Sequence, residues 1–235
     1  MTRICTICAR GGSKGVKNKN IRDLHGQPLI SYSILQAKES GLFDCIAVSS
    51  DSDDILATAE KWGADHLIKR PDELATDQAA KLPVIKHCLI AAERVSGLTF
   101  DVIVDLDATS PLRIPEDIIQ CVQLLESHGV SNVITGAPAR RSPYFNLVEV
   151  DVHGVARLSK ELDTAIVRRQ DAPKCYDMNA SIYVWRRDVL LNSSSIFNND
   201  TLLHVMPEER SVDIDSQLDF QIVEMLLSKV ESLHE

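Results

Sequence analysis

The sequence predicts an α/β fold, a mostly parallel Rossmann-like sheet with helices on both faces. Short runs of apolar and β-branched residues, continuous rather than alternating, mark strands buried on both sides. Helical patterns of 3.6-residue period alternate with these runs four times before residue 137. The first run also feeds a loop rich in glycine and cations. In an open sheet of this kind the ligand site lies beyond the carboxyl ends of the strands.

Ile4-Cys5-Thr6-Ile7-Cys8-Ala9 is the first buried strand. Gly26-Gln27-Pro28 turns the chain, and Pro28 opens a helix to about Lys38, with Leu29, Ile30, Ile34, Leu35 and Ala37 at helical spacing. Cys45–Ser49 is a second buried strand, and Ser50-Asp51-Ser52-Asp53 leads into a helix that runs through Trp62 and stops at Gly63. His66-Leu67-Ile68 is a short third strand followed by the loop Arg70–Ala75. Pro83 marks the first turn of a helix carrying Val84, Ile85, Cys88, Leu89 and Ala92 on one face. Asp101–Asp105 is the fourth strand, Pro115 to His128 a helix, and Asn132–Gly136 the fifth strand. Right-handed crossovers follow from this order.

The rhythm then changes. Tyr144 to Val150 alternates like a hairpin strand, and the chain is polar and irregular from there to Cys175. Residues 138–176 therefore form an excursion from the main domain, 1–137 and 177–235. Asn179–Trp185 returns as a core strand, and a last helix runs from about Ser216 to Leu227.

At 235 residues the chain can bury one sizeable core. A formal net charge of −9 argues against a nucleic-acid-binding face. There is no apolar stretch long enough to span a membrane and no signal-peptide pattern at the start, so a cytoplasmic protein is expected. Cys5 and Cys8 form a C-x-x-C, but an i, i+3 pair in a strand points to opposite faces and no second such pair follows. The six scattered cysteines read as small buried hydrophobes in a reducing compartment.

Against this acidic background the stretch Arg10-Gly11-Gly12-Ser13-Lys14-Gly15-Val16-Lys17-Asn18-Lys19-Asn20 stands out. Glycines let backbone N–H groups approach a bulky anion, and Arg10, Lys14, Lys17 and Lys19 supply the opposite charge. The spacing fits neither a Walker loop nor G-x-G-x-x-G. It reads as a polyphosphate cradle, although a solvated basic loop has the same composition. Asp213 and Asp215 are an i, i+2 pair, so an extended backbone puts both carboxylates on one face, which suits Mg²⁺. The alternative is that Asp215 caps the helix beginning at Ser216. Arg70 follows the third strand, at the same sheet edge as the cradle. Asn179 starts a buried strand and needs partners for its amide. No Ser/His/Asp set, nucleophilic Cys or metal-spaced His group is present.

These stretches recur in the order found in the CMP-sialate synthetases (acylneuraminate cytidylyltransferases), which this sequence resembles from Ile4 to the last helix. The matches are A-R-G-G-S-K-G with K-N-K-N-I, V-S-S-D, R-P-D-E-L-A-T-D, T-S-P-L-R, R-Q followed by N-A-S-I-Y, and S-V-D-I-D-S-Q-L-D. The resemblance implies the nucleotide-diphospho-sugar transferase type of α/β domain with a dimerisation excursion, hence a homodimer. It further implies an enzyme that joins CTP to a nonulosonic acid with Mg²⁺, releasing pyrophosphate and supplying surface-polysaccharide synthesis. Carried over, Arg10, Gly11, Gly12, Ser13, Lys14, Lys19, Asn20, Arg70 and Lys81 fall on nucleotide positions. Asp107, Thr109, Arg169, Asn179 and Tyr183 fall on the sugar side, and Asp213 and Asp215 on the metal pair. Arg10, Lys19 and Asp215 are the expected catalytic groups.

Departures cluster on the sugar side. The usual L-Q-P-T-S-P reads Leu106-Asp107-Ala108-Thr109-Ser110-Pro111, a small hydroxyl residue of the nucleotide loop is replaced by Lys81, and N-G-A-I-Y is N-A-S-I-Y. A lysine expected near Phe145 is missing. These variants look more like the branch that activates legionaminic-type sugars than the one for N-acetylneuraminate. An acceptor-only Asp107 would suit a substrate offering N–H groups. A sialic acid cytidylyltransferase, or a non-catalytic nucleotide-binding regulator on the same fold, are the other readings. The pattern speaks against a Kdo or sugar-phosphate enzyme.

Overall fold

The computed structural model describes residues 1–13, 15–164 and 166–231. In chain order the elements are β1 Arg3–Cys8, β2 Asp23–Leu24, β3 Gln27–Pro28, α1 Leu29–Ser40, β4 Cys45–Ser50, α2 Asp53–Lys61, β5 His66–Lys69 and α3 Lys81–Ser96. They continue with β6 Val102–Leu106, α4 Pro115–His128, β7 Asn132–Pro138, β8 Val148–Val150, β9 Ala156–Leu158, β10 Tyr176–Arg186, α5 Arg187–Asn192, β11 Leu202–Val205 and α6 Gln217–Glu231.

Seven strands form one sheet in the order β11-β7-β10-β6-β1-β4-β5. The block β6-β1-β4-β5 is parallel and β11 runs parallel to β7, whereas β10 is antiparallel to both its neighbours. The mostly parallel sheet expected from the alternation is therefore present, with one reversed strand. The sequence expects the strand at Asn179–Trp185. The pairing extends to residues 176–186 and shifts register between Met178 and Tyr183, where Ala180 takes φ +53°. An alanine there sits in the left-handed region that glycine tolerates best.

One face of the sheet packs Ile30 and Ile34 of α1, Ile55 of α2, and Ile118 and Cys121 of α4 against Cys5, Ile7, Val48 and Val104. The other packs Ile85, Cys88 and Leu89 of α3 and Leu190 of α5 against Ile4, Ile103 and Trp185. Cys5 lies in the first cluster and Cys8 borders the second, so the C-x-x-C does point to opposite faces. All six cysteines are free thiols.

A third cluster carries the functional geometry. Val16 of the glycine-rich loop, Leu24, Leu29, Leu112, Ile214, and Phe220 and Val223 of α6 are buried together. It ties the first loop to the segment before the last helix. Ser216 caps α6 reciprocally with Asp219, whose Oδ2 accepts from the Ser216 N–H at 2.7 Å while the Ser216 hydroxyl oxygen accepts from the Asp219 N–H at 3.3 Å. Ser216, not Asp215, is the cap.

Between β7 and β10 the strand expected over 144–150 is shorter. The N–H groups of Phe145, Asn146 and Leu147 all donate to the Ser142 carbonyl, so a turn occupies 143–146 and only Val148–Val150 pairs, with β9. No helix among the described residues is long and apolar enough to cross a membrane.

Candidate active site

A cleft of about 400 Å³ opens at the carboxyl ends of β1 and its neighbours, between the parallel strands on either side. Its lining includes Arg10, Ser13, Lys19 and Asn20 from the first loop, Arg70 and Lys81 from the β5–α3 segment, Asp107 and Thr109 after β6, and Asp215. Nine of the residues proposed from sequence thus share one cleft. Lys14 lies outside the described residues. Gly11 and Gly12 adjoin lining residues in the chain without lining the cleft themselves, and Asp213 stands two positions from the lining residue Asp215, outside the lining.

The glycine-rich loop is shaped by close approach. The Gly11 N–H donates to Asp51 Oδ1 at 2.9 Å, and a Cβ on Gly11 would stand 3.0 Å from that of Ser52. Asp51 and Ser52, just beyond β4, thus brace the loop. A Cβ on Gly15 would fall 1.9 Å from the Asp215 carbonyl oxygen. The Asn20 amide donates to the Arg10 carbonyl at 2.9 Å, and its buried Oδ1 has no partner among the described residues. Arg70 is buried and donates through Nη2 to the Ser49 carbonyl at 2.9 Å.

Arg10 pairs with Asp77, and Lys19 Nζ donates to the Ile214 carbonyl while lying 3.3 Å from Asp215 Oδ1. Ile214 is fully buried, with Asp213 and Asp215 either side of it, and its N–H donates to the Thr109 carbonyl at 2.9 Å. Alternation about that anchor directs both carboxylates away from the core. Burial, then the negative charge of Asp215, pushes the Asp213 carboxyl above its ordinary value. Such a pair gains from a cation. Among the described residues no three His, Cys, Asp or Glu side chains gather to hold a metal. Two carboxylates completed by water and phosphate oxygens fit Mg²⁺, which keeps much of its hydration.

Asp107 is more occupied than its sequence position suggests. Its Oδ2 accepts from Lys81 Nζ at 2.8 Å, and its Oδ1 accepts from the N–H and hydroxyl of Thr109 at 3.0 and 2.8 Å. Burial opposes ionisation of Asp107, but Lys81 and Thr109 override it and hold the carboxyl well below the usual range. Lys81 also stands 3.3 Å from Asp105 Oδ2 and 4.5 Å from the Tyr183 ring centre. Burial works to strip its proton, and the charges of Asp107 and Asp105 more than reverse that.

The remaining sugar-side candidates are not brought into this cleft. Tyr183 is buried and stacks on Trp185 at 5.3 Å. Asn179 is buried, accepts from Thr135 Oγ1 at 2.7 Å and donates to Ser211 Oγ at 3.0 Å. Those bonds satisfy its amide and steady the segment leading to Asp213. Arg169 donates to the Ala139 carbonyl at 2.6 Å and lines a separate cavity of about 680 Å³ in the excursion. Sequence reasoning missed Asp77 and Asp51, which brace the cradle, and the fully buried Arg113, whose Nη2 donates to the Asp107 carbonyl at 2.6 Å. Asp105 had a visible signal, a lone carboxylate inside an apolar strand.

Known proteins resemble this chain along nearly its whole length. The cytidylyltransferase family profile matches residues 4–232. The chain is 51% identical over 225 residues to the CMP-N,N'-diacetyllegionaminic acid synthase of Campylobacter jejuni, covering 96% of this chain and 94% of that one. It is 48% identical over 226 residues to the post-translational flagellin modification protein B of Campylobacter coli, covering 96% and 95%. In three dimensions it is similar to a CMP:2-keto-3-deoxy-manno-octonic acid synthetase complexed with CTP, with a TM-score of 0.70, 16% identity and coverage of 97% and 99%. At that identity the last likeness concerns the fold.

Proposed function

The chain belongs to the cytidylyltransferase family, and from that premise we propose that it transfers the cytidylyl group of CTP to a nonulosonic acid, N,N'-diacetyllegionaminic acid. One observation carries the reading: Arg10 and Lys19 of the first loop meet Asp215 at a single cleft. The anomeric hydroxyl oxygen of the acid attacks the α-phosphorus. The new O–P bond forms in line as the bond to pyrophosphate breaks, and the hydroxyl proton passes to Asp215. Arg10 and Lys19 exchange their carboxylate partners for phosphate oxygens and meet the charge that grows on the leaving pyrophosphate. Mg²⁺ held by Asp213 and Asp215 would neutralise phosphate charge. Arg70, Ser13 and the unpaired Oδ1 of Asn20 are the groups offered to the nucleotide.

The excursion is read as a dimerisation element. Val148 and Val150, paired across the hairpin with Leu158 and Ala156, leave an exposed apolar face on a two-stranded ribbon, which is marginal alone. A second copy covering it gives a two-fold dimer. Use of CTP places the protein in the cytoplasm, and a CMP-sugar product feeds glycosyl transfer to surface glycans. The activity is tested by pyrophosphate release from CTP with a panel of nonulosonic acids. Release with the diacylated legionaminic acid is expected, and none with any acid overturns the reading.

A further inference from the structure

Arg70 and the β5–α3 segment flank the cradle on one side, and Asp107–Thr109, at the end of β6, flank it on the other. With phosphates over the cradle and the nucleoside toward Arg70, the acid sugar meets the β6 side; this much rests on the reading above. What that side offers follows from counting hydrogen-bonding capacity. A carboxylate has about four acceptor sites and no donor. Asp107 uses three, for Lys81 Nζ, the Thr109 N–H and the Thr109 hydroxyl. An ammonium 2.8 Å away keeps it ionised, so the Thr109 hydroxyl must give its single hydrogen to Asp107. The Thr109 oxygen is left with lone pairs only.

Lys81 in turn is held in place. Besides Asp107, just beyond β6, it meets Asp105 Oδ2 of β6 at 3.3 Å and the Ala180 carbonyl of β10 at 3.5 Å, none of them on its own helix. Ala180 reaches it from the left-handed conformation that interrupts the register of β10. Lys81 and Asp107 are also two of the positions at which the sequence departs from the pattern it resembles, and the fold joins them in one ion pair.

We propose that Thr109 Oγ1 is the specificity-determining atom of the acceptor side, and that Asp107 and Lys81 are positioning residues that fix its polarity. The wall it forms with the last acceptor site of Asp107 takes hydrogen bonds and gives none. An amide N–H satisfies it completely. A sugar hydroxyl bound there can donate but finds no partner for its own lone pairs, the kind of mismatch that discriminates between substrates. The cleft therefore selects an acid sugar that presents an acylamino N–H at this wall over one that presents a hydroxylated tail.

The test compares wild type with Thr109→Val, Asp107→Asn and Lys81→Met, measuring kcat and KM for CTP and for two acids, one diacylamino and one monoacylamino with a hydroxylated tail. Thr109→Val keeps the shape and the Lys81–Asp107 ion pair, and removes the Thr109 acceptor together with the bond its hydroxyl gives to Asp107 Oδ1. It should raise KM for the diacylamino acid about tenfold, the scale of losing one discriminating contact. KM for CTP should stay within about twofold of wild type and the preference between the acids should shrink. Asp107→Asn and Lys81→Met should move the same ratio in the same direction, and Lys81→Arg should restore it in part. A Thr109→Val enzyme with an unchanged ratio, or with KM for CTP raised as much as KM for the acid, overturns the inference. A wild type that releases no pyrophosphate with either acid overturns the activity instead, so the two failures are distinguishable.

Discussion

Lys19 Nζ and Asp215 Oδ1 stand 3.3 Å apart although 196 positions separate them in the chain. Neither side chain is placed by its neighbours in sequence. Val16, three residues before Lys19, and Ile214, next to Asp215, are buried in the same cluster with Phe220 and Val223, so the apolar contact of α6 with the first loop brings the charges together. Hydrophobic burial, which has no direction, sets the position, and the polar groups set the chemistry.

Replacing Lys19 by Ala should lower kcat by about 10²-fold or more, the loss associated with one preorganised charge donor. Asp215 is largely exposed, so the pair itself contributes little to stability, ~1 kcal/mol or less. A steady-state assay beside a thermal melt checks both halves. Wild-type turnover in a folded variant would sink the assignment of Lys19.

Asp215→Asn should cripple turnover and leave the melt close to wild type, because Ser216 and Asp219, not Asp215, cap α6. Chelator-treated protein should lose activity and regain it with added Mg²⁺. Full turnover without divalent metal would remove the metal role from Asp213 and Asp215.

Acid stability should depend on Asp117. This buried carboxylate receives the Ile114 N–H at 3.0 Å and the two arms of Arg210 at 2.8 and 3.0 Å. Burial opposes its ionisation, but His204 and Arg210 bring its pKa down to about 2 from an ordinary 3.8. A depressed carboxyl stabilises the fold above its unfolded value, and that stability is lost as pH falls from about 4 to about 2. The amount is on the order of 2 kcal/mol. Asp117→Asn should therefore melt below wild type at pH 7, with the gap closing toward pH 2. A gap independent of pH would show that the carboxylate's charge is not what matters.

Much of this was legible in the sequence, for a physical reason. Strands β1, β4, β6 and β7 are covered on both faces and so read as near-continuous apolar runs with few polar interruptions. β11 is four residues on the sheet edge, half-exposed, and gives no such run. The loop cations and the D-x-D segment were visible because each is a local pattern. Their junction, the Arg10–Asp77 pair and the reach of Lys81 from the start of α3 to Asp107 are tertiary facts with no local signature. For the same reason Asp107 looked like an open acceptor, whereas three of its bonds are made within the chain.

The exposed face of the β8–β9 hairpin should be covered by a second copy in solution. Light scattering is expected to give twice the mass of one chain. Val148→Lys, on that face, should shift the protein toward monomer. A monomer mass for wild type at micromolar concentration would refute the pairing.

Gly15 offers a steric test of how the site is assembled. A Cβ at this position would lie 1.9 Å from the Asp215 carbonyl oxygen and 3.2 Å from its carbon, both backbone atoms that no side-chain rotation can move. The loop can accept an alanine only by moving away from the Asp213–Asp215 segment or by pushing it aside. Either movement separates Lys19 from Asp215, and a displacement of ~1 Å costs on the order of 10²-fold in rate where positioning is the main contribution to catalysis. The sheet and its two main core clusters do not include Gly15. Gly15→Ala should therefore keep the far-ultraviolet dichroism of wild type while kcat falls by ~10²-fold. Gly12→Ala, whose Cβ would meet nothing within 4 Å, should be far milder. Equal turnover in the two variants would show that the close contact between the first loop and Asp215 does not set the catalytic geometry.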